Sequence, residues 1–455
     1  MKISMPNRIA IPAEMKTLLK IAAPCVVEQY LIVLVGMVSV AIVGQIGRNE
    51  LTASSMTNQL VNWIQCLYTG LAAGATVVIA RMWGSKDTEG VKKSFMQALV
   101  LTILVCLSLL AVTIVFQEQI VNMVFGAAQQ DVLDAAHIYF SYCMLGMPAT
   151  GIMTIVNASV RGTGDNKTPM YSTILLNAVN IALSIVLIYG VPALNIPAQG
   201  IVGAGVAVTI ARYVAAAFVV IFVIAKKAPI IPEKFSLRFN NEILQRILKV
   251  GLPSAIEQVI FQGGFVILQT MLIGFGTVFQ GGYQIGSNIN GLNLAPGMAI
   301  GVATTTMISQ ALGRKDYKYA KQIVRITNIL VLTVFSILTV VLFFFVPVMC
   351  RMYSSDAEVL ESATYFAQMF SLSIIPVAYF QSISGVLRGA GDVRYVAVMS
   401  IIGLWVMRLF LVWVVANFTG NGYIAVTVGV WADFMWRAVT YFIRVRKGNW
   451  LYIRV

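Results

Sequence analysis

Charge is scarce in this chain. Only 11% of its 455 residues are Asp, Glu, Lys or Arg, against 58% that are hydrophobic. That excludes a water-soluble fold, because too little polar surface remains to cover a core. Histidine is nearly absent. His137 stands alone, and a metal site needs more ligands than one. The cysteines Cys25, Cys66, Cys106, Cys143 and Cys350 show no paired spacing, and most lie in apolar runs. They read as small apolar packing residues rather than a disulfide frame. No Lys-Ser/Thr pair follows the Gly-rich turns at Arg161 and Arg388, so neither turn is a phosphate loop. No nucleophile–base arrangement stands out, so neither an enzyme nor a bound cofactor is expected. Alternating hydrophobicity is lacking too, which argues against a transmembrane β-barrel.

What fills the chain is apolar runs of helix-spanning length, about 20 residues each. They predict an all-α membrane protein with twelve transmembrane helices, near 15–46, 51–80, 94–117, 132–160, 169–190 and 201–225, then 245–275, 281–312, 322–347, 357–387, 395–418 and 423–446. The first run is too long and too polar in its middle for a cleavable signal. A net charge of +14 resembles a nucleic-acid signal, but its distribution argues otherwise. Lys2, Arg8, Lys86, Lys226, Lys234, Arg238, Lys315 and Arg446 fall in alternate loops, whereas Glu118, Asp131 and Asp356 fall in the opposite ones. By the positive-inside rule both termini are expected in the cytoplasm of a multi-pass cell-membrane protein (the inner or plasma membrane).

The chain also repeats itself. Lys20-Ile-Ala-Ala-Pro24-Cys-Val-Val-Glu28-Gln29 returns as Lys249-Val-Gly-Leu-Pro253-Ser-Ala-Ile-Glu257-Gln258. Gly84-Ser-Lys86-Asp87 returns as Gly313-Arg-Lys315-Asp316, and Arg161-Gly-Thr-Gly164-Asp165 as Arg388-Gly-Ala-Gly391-Asp392. Matching turns fall on the same side, so the halves form a parallel repeat of two pseudo-symmetric six-helix lobes. The expected divisions are 1–225, a cytoplasmic linker at 226–244 that carries Pro229 and Pro232, and 245–455.

An acid at the centre of a membrane helix costs about 2.5–3.5 kcal/mol on insertion scales. Glu28 and Glu257 each lie eight residues past a lysine, or about 12 Å deep at 1.5 Å per residue. A proline sits one turn before each, where it frees a carbonyl and bends the axis. These two carboxyls are the first candidates for an ion or substrate site. Gln29, Gln258, Gln262, Tyr283, Gln284 and Asn288 are added because polar groups at membrane depth need partners or a wet cavity. Arg408 and Asp433 lie equally far from the turn near Gly420 and are expected to form a structural ion pair. Arg212 has no evident partner in the sequence. The Arg161 and Arg388 segments read as short cytoplasmic turns.

With these motifs in hand, the chain resembles the multidrug and toxic compound extrusion (MATE) transporters. The likeness also rests on Asn177-Ala-Val-Asn180 and Gly403-Leu-Trp405-Val-Met-Arg408. It implies secondary active multidrug efflux, with small organic cations exported in exchange for Na⁺ or H⁺ by alternating access. A monomer surrounded by membrane lipid is expected, with no nucleic acid partner and no bound metal. Many relatives carry an aspartate where this chain has Ser39, and a second where it has Ser184, so coupling is expected at Glu28 and Glu257. The alternative on this scaffold is a flippase or exporter of a lipid-linked or polyanionic substrate, which would line its cleft with arginines. Arg212, Arg408 and Arg437 are the arginines deep within the expected spans, with Arg246, Arg325, Arg444 and Arg446 at their cytoplasmic ends.

Overall fold

The computed structural model describes residues 13–126, 129–191, 197–233, 240–353 and 356–453; Lys2, Arg8, Lys234 and Arg238 lie outside these. The described residues are almost entirely helical. In the N-lobe, α1 (Ala13–Gly44), α2 (Arg48–Gly84) and α3 (Thr88–Val115) precede a short helix, Gln117–Phe125. The two-armed α4 follows (Gln130–Leu145 and Met147–Gly162), then α5 (Lys167–Tyr189) and α6 (Gly200–Ala225). The C-lobe opens with α7 (Asn241–Ile273), α8 (Thr277–Gly313) and α9 (Tyr317–Arg351). It closes with the two-armed α10 (Ala357–Leu372 and Ile374–Gly389), α11 (Val393–Thr419) and α12 (Gly422–Lys447).

Nine described helices are long and apolar enough to cross a membrane, and the two bent pairs bring the number to 11. The twelfth, α12, has 26 residues, which at 1.5 Å per residue exceeds the roughly 30 Å hydrocarbon core. Asp433 and Arg437 interrupt its apolar sequence, and both are buried in the lobe. Leu34, Ile114, Ile221, Phe344 and Phe410 are exposed, a surface suited to lipid rather than water.

Two of the single spans that the sequence predicts, 132–160 and 357–387, are bent. α4 bends by 44° and α10 by 51° at matching points. Pro148 and Pro376 stand in the first turn of the second arms. A proline is tolerated there but cannot continue the preceding hydrogen-bond ladder. α11 contains a third departure, a π-helical stretch over Gly403–Phe410 that carries Arg408.

The basic end of the bundle shows the repeat in atomic detail. Asp87 and Asp316 cap α3 and α9, accepting hydrogen bonds from Gly90 N at 2.8 Å and Tyr319 N at 2.9 Å. Each follows a lysine in the left-handed region, Lys86 at φ 64° and Lys315 at φ 59°. Gly164 and Gly391 adopt φ 96° and 88°, which a side chain would strain. Here too the lobes meet. Arg81 donates to Ala390 O at 3.3 Å and Ile453 O at 3.1 Å, while Gln310 donates to Gly162 O at 2.9 Å. A Cβ on Gly84 would strike the backbone of Gln310, and one on Gly313 that of Arg81. Deeper in, α2 packs on α7 through Gly70, Gly74 and Gly251.

Candidate functional site

Two cavities lie along this seam. The C-lobe cavity holds about 660 Å³ and is lined by Glu257, Gln258, Gln262, Tyr283 and, from the other lobe, Gln29. The N-lobe cavity holds about 910 Å³ and is lined by Glu28, Asn58, Asn62, Asn177, Asn180 and Arg212. Val302, Thr305 and Arg388 border both. Such volumes suit drug-sized molecules.

Neither glutamate is bare. Glu28 is buried, and its Oε1 accepts a hydrogen bond from Arg161 Nη2 at 2.5 Å. Among the described residues its Oε2 has no hydrogen-bond partner. Both oxygens of the buried Glu257 accept from Arg388 Nη2, at 2.9 and 3.1 Å. The arginines that the sequence reading places in cytoplasmic turns therefore reach inward. Each starts from the last turn of a bent span, and its long stem carries the guanidinium to an acid on the first helix of the same lobe. A carboxylate taken out of water keeps its charge only with a partner, and arginine retains its own charge in nearly every setting.

Asp433 is wholly buried and accepts from two arginines. Arg408 Nη2 stands 2.7 Å from its Oδ2. Arg437, one turn along the same helix, donates from Nε at 2.6 Å and from Nη2 at 2.7 Å. The sequence reading names only Arg408 for this acid. The signal for Arg437 was its spacing, since residues four apart share a helix face. Phenylalanines clamp both guanidiniums. Arg408 lies 4.9 Å from the ring centre of Phe434, and Arg437 lies 4.9 Å from Phe261 and 5.1 Å from Phe380.

Two expected site residues fall elsewhere. Gln284 and Asn288 line neither cavity; they bond to each other at 3.3 Å on an exposed face, with Gln269 at 3.3 Å from Gln284. Helical spacing explains this placement. Tyr283 and Asn290 lie two turns apart and face the cavity, so positions 284 and 288 turn away from it. Gln258 lines the C-lobe cavity and also ties the lobes together, accepting from Thr69 Oγ1 at 3.1 Å.

The MatE family model matches residues 24–186 and 253–414. Each match opens at the proline before a paired glutamate. The probable multidrug resistance protein NorM of Thermotoga maritima is 27% identical over 446 residues, covering 97% of this chain and 94% of the relative. NorM of Bacillus subtilis is 26% identical and covers 95% and 96%. Among solved structures, the Vibrio cholerae MATE transporter VcmN in its bent form superposes with a TM-score of 0.86 at 20% identity, covering 97% of this chain and 99% of that one. A Pyrococcus furiosus transporter of the MOP superfamily, described as having a binding pocket of reverse polarity, gives 0.84 at 21% identity with 97% of each chain covered. Likeness at this identity shows the fold.

Proposed function

Because the chain belongs to the MatE family, a family of multi-pass transporters rather than enzymes, we propose that it is a secondary active multidrug exporter. It exchanges organic compounds for inward H⁺ or Na⁺ by alternating access. The observation that carries this reading is the duplicated carboxylate–arginine pair, one beside each cavity. A buried carboxylate accommodates one cation at a time. Guanidinium, coupling ion and cargo cation therefore compete for Glu257, and whichever binds displaces the others. Releasing Arg388 also frees the end of α10, whose next residues form the latch to Arg81. Charge at the glutamate is thereby tied to closure at the basic end.

Small organic cations are the proposed cargo of the C-lobe cavity, with Tyr283, Phe370 and Gln262 lining its wall. The basic end faces the cytoplasm of the cell membrane in this reading, and the protein works as a monomer. A membrane potential adds about 2.3 kcal/mol per charge per 100 mV to any net charge that crosses. The experiment is efflux of a cationic dye from proteoliposomes with H⁺ and Na⁺ gradients imposed separately. An inward gradient of one ion should accelerate efflux. Glu257→Gln and Glu28→Gln should each lower that acceleration about tenfold or more. Undiminished, equally ion-dependent efflux in both variants rules the proposal out.

A further inference from the structure

The lining of the N-lobe cavity is unbalanced in charge. Arg161, Arg212 and Arg388 face it, against the single acid Glu28. Glu28 is taken by Arg161, and Arg388 is taken by Glu257 on the far side of the shared wall. Arg212 is left over. It stands midway along α6, inside a span, and its described contact is a hydrogen bond from Nη1 to Cys143 O at 2.8 Å. Among the described residues it makes no ion pair with an acid, although every other arginine facing either cavity does. A guanidinium keeps its charge at membrane depth. It has five donors, and one carbonyl answers only one of them.

The rest of the cavity suits a ligand that bears an anion. Neutral amides surround it, including Asn58, Asn62, Asn177 and Asn180. Among the described residues, Asn177 Nδ2 is buried with no hydrogen-bond partner, a donor free for a ligand's oxygen. Val35, Val40 and Val208 supply apolar wall. We propose that the N-lobe cavity binds the carboxylate of an amphipathic organic molecule, with Arg212 as its charge partner and the asparagine amides around the head. This rests on the reading of the cavities as cargo sites and adds a class of cargo opposite in charge to the one proposed for the C-lobe. A guanidinium and a carboxylate pair through two parallel hydrogen bonds, so an uncharged analogue of the same shape leaves Arg212 without its partner.

The test uses the full chain in phosphatidylcholine nanodiscs, with fluorescence polarisation of pyrenebutyrate and its uncharged partner pyrenebutanol. The parent should hold the acid about tenfold or more tighter than the alcohol. Arg212→Gln should abolish that preference, and Arg212→Lys, which keeps the charge, should retain part of it. Equal binding of acid and alcohol by the parent, or an undiminished preference in Arg212→Gln, overturns the proposal. Phosphatidylglycerol nanodiscs separate cargo from lipid. Persistence of the acid preference supports a carboxylate ligand, whereas its disappearance assigns Arg212 to a lipid headgroup and overturns the proposal. Ion-driven efflux of a cationic dye on the same preparation keeps the two readings apart, because efflux without acid preference refutes only this one.

Discussion

In the C-lobe every guanidinium at the cavity is answered by an acid. Arg388 has Glu257, and Arg408 and Arg437 share Asp433. The N-lobe repeats the first arrangement in Glu28 and Arg161, but among the described residues its remaining cavity arginine, Arg212, bonds to a carbonyl and to no acid. What the lobes share is therefore frame: capped turns, bent fourth spans, glutamate–arginine pairs and mutual latches at the basic end. What they do not share is the charge left facing each cavity. Duplication marks the parts that build the two halves. Divergence marks the charge that faces each cavity.

The largest effect that would break this comparison is at Asp433. Replacing it with Asn strands two buried guanidiniums, and breaking a buried pair costs about 3–5 kcal/mol. Asp433→Asn should melt far below the parent in detergent or emerge aggregated, whereas Arg212→Gln should melt like the parent. If thermal melting shows the two variants equal, Arg212 has a structural partner comparable to Asp433, and the distinction between the lobes disappears.

A smaller effect sharpens the shared frame. Arg81 and Gln310 occupy matching places near the ends of α2 and α8, and each bonds to the turn of the opposite lobe. One bond is charge-assisted and the other is not, about 1.5–3 against 0.5–1.5 kcal/mol. Arg81→Ala should therefore loosen the basic end more than Gln310→Ala. Spin labels on the exposed turn residues Ser85 and Arg314 report this as a broader, longer distance distribution. A broader distribution in Gln310→Ala than in Arg81→Ala would show that packing at Gly84 and Gly313, not charge, holds the seam.

Much of the frame was legible in the sequence, because membrane spans and repeats are written in hydropathy and register. Glu28 and Glu257 stood out as costly acids at equivalent points, and both face cavities. Their partners were not legible. Arg161 and Arg388 read as loop residues because spacing along a chain does not show how far a guanidinium reaches across a bundle. The bends at Pro148 and Pro376 were hidden for a related reason, since an apolar run stays apolar through a break. The face on which Gln284 and Asn288 lie was not legible, because polarity reveals a need for partners without saying where they are. Arg212 was the residue without an account, and the structure made its isolation informative.

The smallest effect lies at the pair that ties each turn to the end of its lobe, Asp165 to Lys226 at 2.5 Å and Asp392 to Arg444 at 2.7 Å. Burial pushes the Asp165 carboxyl up, but hydrogen bonds from Lys226 and Thr168 outweigh it and hold the group below its ordinary value. A carboxyl with a lowered folded pKa binds fewer protons in the native than in the unfolded state. Its contribution is complete above the ordinary aspartate value, about 3.9, and fades as pH falls through the lower folded value. Lys226 is half exposed, so solvent screens much of the interaction. Asp165→Asn should match the parent in acid and melt slightly below it near neutrality. Melting curves recorded between these limits test the sign. A gap that widens as the solution is acidified would mean that the carboxyl is strained by burial rather than held by its lysine, and that this turn, unlike the others, is not part of the shared frame.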